Sequence, residues 1–382
     1  MNKIIILFFV WRTVLFFPLW ITGGIPSRPH YEYTNIFTST LKYSPVDSPL
    51  LYPWANFDGV HYLDIAGNGY KDNGRFFPLY PLLIRGLSTI FGIGKAFGAI
   101  QFFCALFISN LSFLLAIIFL YKLLRLDFSE KISFWTVIFI IFFPTSFFFV
   151  SVYSESLFFL LLTLSFYLAR KRQWFLACFS TMLLTISRPV GFLMAIPLIS
   201  EYIKQNKLSK KSLFFMVYSL LFVSLGLMIY SYFCYLKWND PLYFFHSQAL
   251  LQNSRTVSGF VFPLQTIYRY LKILITVSPK IYEWWIALLE FLSFWLACYL
   301  LTVGWLKKIR PSYLIFSLMC FFVPVFSGTF SGLPRYIIVI FPLFLALSQS
   351  VKNKTVKIFY ITAGFITQIV LLAFFSRGYF IA

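Results

Sequence analysis

The run FGAIQFFCALFISNLSFLLAIIFLY, residues 97–121, decides what kind of fold this chain can have. It carries no charged side chain, and its length suits the roughly 20 apolar residues that a helix needs to cross a bilayer. Runs of the same kind recur at residues 4–21, 133–150, 154–169, 174–187, 189–203, 213–236, 283–304, 312–330, 336–349 and 358–376, which predicts about eleven spans. Several are short, and the two runs flanking Arg188 and Pro189 read equally as one long kinked helix.

Composition points the same way. Of 382 residues 60% are hydrophobic and 12% charged, with a mean hydropathy of +0.80, against roughly 25% charged in a soluble domain. A water-soluble fold could not hide that much apolar surface. The 51 Phe and 24 Tyr residues suit lipid contact and interfacial belts. The expected fold is an all-α polytopic membrane protein, one transmembrane domain over residues 1–382. The first run ends in GGIPSRP without a small-residue cleavage site, so it reads as a retained helix rather than a secretory signal.

A formal net charge of +20 could indicate nucleic acid, but that reading needs cations gathered in one patch. Here they lie in short groups between apolar runs. Alternate connections collect them: Lys3; Lys122, Arg125 and Lys131; Arg170, Lys171 and Arg172; Lys204, Lys207, Lys210 and Lys211; Lys307, Lys308 and Arg310; Lys352, Lys354 and Lys357. By the positive-inside rule this set is cytoplasmic, as is the N-terminus. Nucleic acid is excluded as a partner.

The five cysteines, Cys104, Cys178, Cys234, Cys298 and Cys320, all fall in apolar runs and read as packing residues. His30, His61 and His246 lie far apart, and no metal-ligand cluster is expected.

The opposite face carries two long loops, residues 22–96 and 237–282, and short turns at 153–156, 188–191 and 331–335. A bare bundle needs only short turns, so long loops mark a recognising face. Within the second loop, Gly259 to Ser278 is apolar but holds Arg269 and Lys272, which predicts an amphipathic helix along the interface.

The first loop contains WANFDGVHYLDIAGNGY, residues 54–70, and GRFFPLYPLLIRGL, residues 74–87. Gly, Asn and Pro break it into short interfacial helices. In such a helix Asp58 shares a face with His61, Tyr62 and Ile65, whereas Asp64 points elsewhere. Asp58 is therefore the candidate inward carboxylate, with helix capping as its alternative role. Asp64 reads as structural. Glu155 in VYSES, Arg188 in TISRPVG and Arg335 in SGLPRY fall at the same face, where ionisable groups are costly and face a protein interior or watery cavity. A carboxylate beside two guanidiniums suits a site where a base meets a phosphate.

These segments resemble the PIG-V family, the GPI mannosyltransferase 2 relatives among membrane glycosyltransferases of the GT-C class. WANFDGVHYLDIAGNGY, RFFPLYPLLIR, YSESLFFLL, SRPVGFLMAIPL and LPRYIIVIFPLF carry the likeness, spread over most of residues 50–345. The resemblance implies a GT-C-like fold and a polyprenyl-phosphate sugar donor, mannose-type, used without a nucleotide on the non-cytoplasmic side. It also implies inverting transfer to a glycan or glycolipid acceptor, with Asp58 as general base. The size is that of a compact prokaryotic relative in the cytoplasmic membrane.

The chemistry holds together on the residues themselves. Asp58 would take the acceptor proton, and Arg188 and Arg335 would meet the departing phosphate. Glu155 would position acceptor hydroxyls. Trp54, Tyr62 and Tyr80 would stack on sugar faces, and His61 and Arg75 would line the substrate site. No cofactor is predicted, and a divalent ion at the phosphate is left open. The rival function is transport or flipping of a lipid-linked sugar, which needs polar groups at mid-membrane, Asn110 being one. A scaffold without activity is the third.

Overall fold

The computed structural model describes residues 1–22, 25–28, 50–91, 98–247 and 261–381. Among these every regular element is an α- or 3-10 helix, and no strand is present. His30 and the loop stretches 29–49 and 248–260 lie outside the described residues.

Among the described residues five helices are long and apolar enough to cross a bilayer: Asn2–Ile21, Ala99–Leu124, Lys210–Trp238, Tyr282–Leu306 and Lys354–Ser376. A sixth crossing arises if Leu333–Val339 and Phe341–Ser350, bent by 78° at their junction, count as one broken span. The chain is an integral membrane protein by this test. About eleven spans were expected from apolar runs, and the difference has a structural cause. The remaining runs fold as shorter helices, Glu130–Ile141, Glu155–Arg170, Trp174–Ser187, Ala195–Asn206 and Pro311–Val325, below the roughly 17 residues a crossing requires.

Breaks in those runs follow local chemistry. Pro144 follows the end of Glu130–Ile141, and the chain continues as the 3-10 turn Ser146–Val150. Pro189 excludes the helical conformation from its predecessor. Arg188 accordingly sits extended at φ −158° and ψ 142°, ends Trp174–Ser187 and leads into the 3-10 turn Pro189–Met194. The two runs are thus separate helices around a turn, not one kinked helix. Helix starts are marked by Ser129, Ser209 and Asn353, whose side chains accept from backbone N–H groups of the first turn.

Ala99–Leu124 packs along Glu155–Arg170, which packs on Trp174–Ser187, and that helix on Lys210–Trp238. Glu130–Ile141 packs on Phe341–Ser350, which meets Tyr282–Leu306. Phenylalanine fills the interior: Phe113 stacks on Phe149 at 4.4 Å, and Phe149 on Phe159 at 5.2 Å. Of the cysteines, Cys298 is half-buried, the other four are buried, and none is bridged.

The described part of the first long loop forms Tyr52–Ala55, Asp58–Asn68 and Leu79–Ile90. That of the second includes Tyr243–His246 and Pro263–Thr276, the latter only 14 residues long and therefore too short to span. The first loop is tied to the helix Lys210–Trp238 through the Trp238 indole N–H donating to Lys71 O (2.9 Å) and the Tyr230 hydroxyl donating to Gly74 O (2.6 Å).

Candidate active site

Four ionisable residues from four separate segments form one continuous chain of opposite charges. Arg188 Nη1 lies 2.8 Å from Glu155 Oε1, Arg335 Nε lies 3.2 Å from that same oxygen, and Arg335 Nη1 donates to Asp58 Oδ2 at 2.8 Å. Glu155 is almost wholly enclosed, with 2% of its side chain exposed, whereas Asp58 keeps 28% and Arg188 19%. The carboxylate and guanidinium at the two ends are the accessible members.

Local structure explains how each arrives. Asp58 is the first residue of its helix and Phe57 its N-cap, with no side-chain cap. The capping role is therefore not the one Asp58 takes, since its carboxylate is turned onto Arg335. Phe57 adopts φ 58°, a left-handed conformation rare outside glycine, and its ring is wedged between Phe375 and Phe380. Strain at the residue before a candidate base fits a functional position. Glu155 opens Glu155–Arg170, where the helix N-terminus favours a carboxylate. Arg188 is aimed inward by the Pro189 turn. That turn lies so close to its own helix that a Cβ on Gly191 would come within 2.6 Å of the Leu184 backbone.

Arg335 sits in Leu333–Tyr336, a turn held from three sides. Thr145 donates to Pro334 O (2.7 Å). The buried Glu290 accepts from Gly332 N–H (3.2 Å) and from the Tyr270 hydroxyl (2.5 Å), and that hydroxyl accepts from Phe330 N–H (3.1 Å). Arg269 donates to Gly328 O (3.1 Å). Aromatic faces complete the seat: Tyr336 lies 5.4 Å from both guanidiniums, and Tyr153 5.4 Å from that of Arg335.

The remaining expected site residues divide. His61 stacks on Phe76 (4.9 Å) on the Asp58 face of the helix, and the Tyr62 hydroxyl bonds Ser154 (2.9 Å). Arg75 is half-buried over Phe76 (4.9 Å) and makes no ion pair among the described residues. Trp54 and Tyr80 differ from expectation. Both are fully buried, Trp54 donating to Leu50 O and Tyr80 to Ala105 O, so their rings are committed to packing rather than offered to a sugar. Asp64 binds Asn68 (2.7 Å) and Lys71 (3.8 Å) on the outer side of the helix.

Burial raises the Asp58 carboxyl, but the charge and hydrogen bond of Arg335 outweigh it, helped by His61 and Arg75, and hold it below its ordinary value. Burial pushes the His61 imidazole down against the opposing pull of Asp58, so the ring is neutral near pH 7. The second oxygen of Glu155, Oε2, is buried without a hydrogen-bond partner.

The residues do not fit a divalent ion. Asp58 and Glu155 are bridged by the Arg335 guanidinium, and no group of three His, Cys, Asp or Glu exists among the described residues.

Two features escaped the sequence reading. Arg170 and Arg310 clamp the fully buried Glu201, which Ser312 and Gln205 also bond, while Arg170 also pairs with Asp127. Arg12, inside Asn2–Ile21, donates to Asn110 (2.8 Å) and lies 4.1 Å from the Trp54 ring. Arg12 was legible as a cation within an apolar run. The Glu201 partners were not, because opposite charges on different helices, far apart in the sequence, carry no local signal.

No family model and no curated protein sequence matches the chain. Among solved structures, the apo oligosaccharyltransferase of Archaeoglobus fulgidus aligns with 97% of this chain at 13% identity and a TM-score of 0.45. The chain spans 56% of that protein's length.

Proposed function

We propose that this chain is a membrane glycosyltransferase that moves a sugar, mannose by the motif resemblance, from a polyprenyl-phosphate donor to a glycan or glycolipid hydroxyl on the non-cytoplasmic face. The observation that carries the reading is the ion-paired chain Asp58–Arg335–Glu155–Arg188 beside the unpaired Arg75. A scaffold has no need to bring four such groups together where burial makes them costly.

In the reaction the acceptor oxygen attacks the anomeric carbon as the bond from that carbon to phosphate oxygen breaks, inverting the centre. The proton passes from the acceptor hydroxyl to Asp58, and the electron pair leaves with polyprenyl phosphate, which needs no separate acid. Arg335 and Arg188 are already neutralised by Asp58 and Glu155, so Arg75 is the cation free to meet the incoming phosphate. Glu155, with 2% of its side chain exposed, acts by holding Arg188 and Arg335 in place rather than by meeting a substrate hydroxyl.

One observation favours transport of a lipid-linked sugar as the second reading: Arg12 and Asn110 place a polar pair inside two long apolar helices. Reconstituted protein given labelled polyprenyl-phosphate mannose and a mixed glycolipid acceptor separates the two. A new glycoside supports transfer, and translocated but unmodified donor overturns it.

A further inference from the structure

A second site with binding character lies outside the charged cluster and shares no residue with it. Trp174, Tyr202, Lys210, Lys211, Phe214 and Phe215 line a cavity of about 630 Å³ where Trp174–Ser187, Ala195–Asn206 and Lys210–Trp238 converge. Its aromatic wall is closely stacked. Tyr202 and Phe215 stack at 3.9 Å with planes 9° apart, and Trp174 packs edge-on against both at 4.8 and 5.2 Å. Phe214, 75% exposed, continues the apolar surface outward, as do exposed Phe175, Leu213 and Val217.

The charge at its mouth has no internal balance. Lys210 and Lys211 occupy the first turn of a helix with no acid in that turn, where the helix's own positive end adds to theirs. Neither they nor Lys171, Arg172, Lys204 and Lys207 form an ion pair among the described residues. Glu201, on the helix that supplies Tyr202, is fully buried and held by Arg310 and Ser312.

We propose that this cavity is a binding site for an anionic phospholipid, its phosphate at Lys210 and Lys211 and an acyl chain along Trp174, Phe214 and Phe215. A soluble anion would satisfy the lysines and leave the aromatic wall uncovered. A zwitterionic lipid would cover the wall and leave the lysines uncompensated. Only a ligand with both parts answers both features, and basic pockets between membrane helices hold anionic headgroups on this principle. The inference is independent of the reaction assigned to the Asp58 cluster.

Trp174 supplies the probe. The purified full chain is titrated in mixed micelles with phosphatidylglycerol or phosphatidylcholine carrying brominated acyl chains. Trp174→Phe is titrated in parallel, so the difference in fluorescence isolates quenching at position 174. The expected result is half-quenching of that component at a roughly tenfold lower mole fraction of the anionic lipid. The preference should vanish in Lys210→Gln/Lys211→Gln, two exposed positions whose change leaves the wall intact, and native mass spectrometry should show the wild type alone retaining the anionic lipid. Equal quenching by both lipids would overturn the proposal in favour of ordinary surrounding lipid. Displacement by soluble glycerol phosphate would overturn it in favour of a free-anion site.

Discussion

The guanidinium of Arg335 donates to the carboxylate of Asp58 at 2.8 Å across 277 positions of sequence. The pair joins the first long loop to the turn that opens the bent helix pair, and it fixes both the charge state and the orientation of the candidate base. Replacing Asp58 by Asn keeps an oxygen that can accept from Arg335 but removes basicity. Asp58→Asn should lower single-turnover sugar transfer by about 100- to 10,000-fold while donor binding, read by equilibrium titration, stays within about threefold. Turnover within tenfold of wild type would remove Asp58 from the role of base.

The same pair sets the pH dependence. With its carboxyl held below the ordinary carboxylate range by Arg335, Asp58 stays ionised as pH falls, so the acidic limb of kcat/KM should lie below the ordinary carboxylate value. Arg335→Lys cannot hold Asp58 and Glu155 at once. Burial then acts with less opposition, the Asp58 carboxyl rises, and the acidic limb should move to higher pH. Stability follows the same sign: the depressed group contributes above its unfolded value, and the contribution is lost as pH falls through the folded one. A pH–rate profile of the two proteins checks this, and an unmoved limb would show that another group titrates.

Glu155 faces two guanidiniums from inside the bundle. Glu155→Gln leaves both with weakened compensation in a buried place, where breaking an ion pair costs about 3–5 kcal/mol. Thermal unfolding in one detergent should show a clear drop, partly recovered in the double variant Glu155→Gln/Arg188→Gln, which removes a stranded charge. No recovery would mean that the Arg188 charge is not what the single variant strands.

How much of this was readable before the structure depends on the kind of signal. Helical spacing alone separated Asp58 from Asp64, and the geometry agrees, with Asp58 on Arg335 and Asp64 on Asn68 and Lys71. Grouping Glu155, Arg188 and Arg335 at one face was also within reach, because each stands at the end of an apolar run. Their pairing order was not, since contacts between residues on different helices leave no periodicity. Apolar runs showed where helices form, but turns at Pro144 and Pro189 divide them and leave fewer described helices of spanning length than there are runs. Charge counting treated Arg170 and Arg310 as topology markers, although both are bound to Glu201.

That distal clamp allows stability and activity to be told apart. Glu201 is fully buried with Arg310 donating at 2.7 and 2.5 Å, so Glu201→Ala should destabilise by about 3–5 kcal/mol. It touches none of the four residues of the candidate site. Turnover per folded molecule, normalised to the native fraction by size-exclusion chromatography, should therefore stay near wild type. A proportionate loss of turnover would couple the two clusters.

Tyr270 tests whether the turn bearing Arg335 must be held for the chemistry to run. Its hydroxyl donates to Glu290 at 2.5 Å and receives Phe330 N–H at 3.1 Å, while the other Glu290 oxygen takes Gly332 N–H, three residues before Arg335. Tyr270→Phe keeps the ring against Phe330 and strips one buried partner from each neighbour, a cost of about 1–3 kcal/mol. Glu290→Gln keeps an oxygen for Gly332 and should cost less. If the turn positions Arg335 in the transition state, Tyr270→Phe lowers kcat more than it raises KM, because the guanidinium loses its fixed place against Asp58 while the donor still binds through Arg75. A drop in thermal stability with kcat unchanged would show instead that Thr145 and the aromatic seat suffice to hold Arg335.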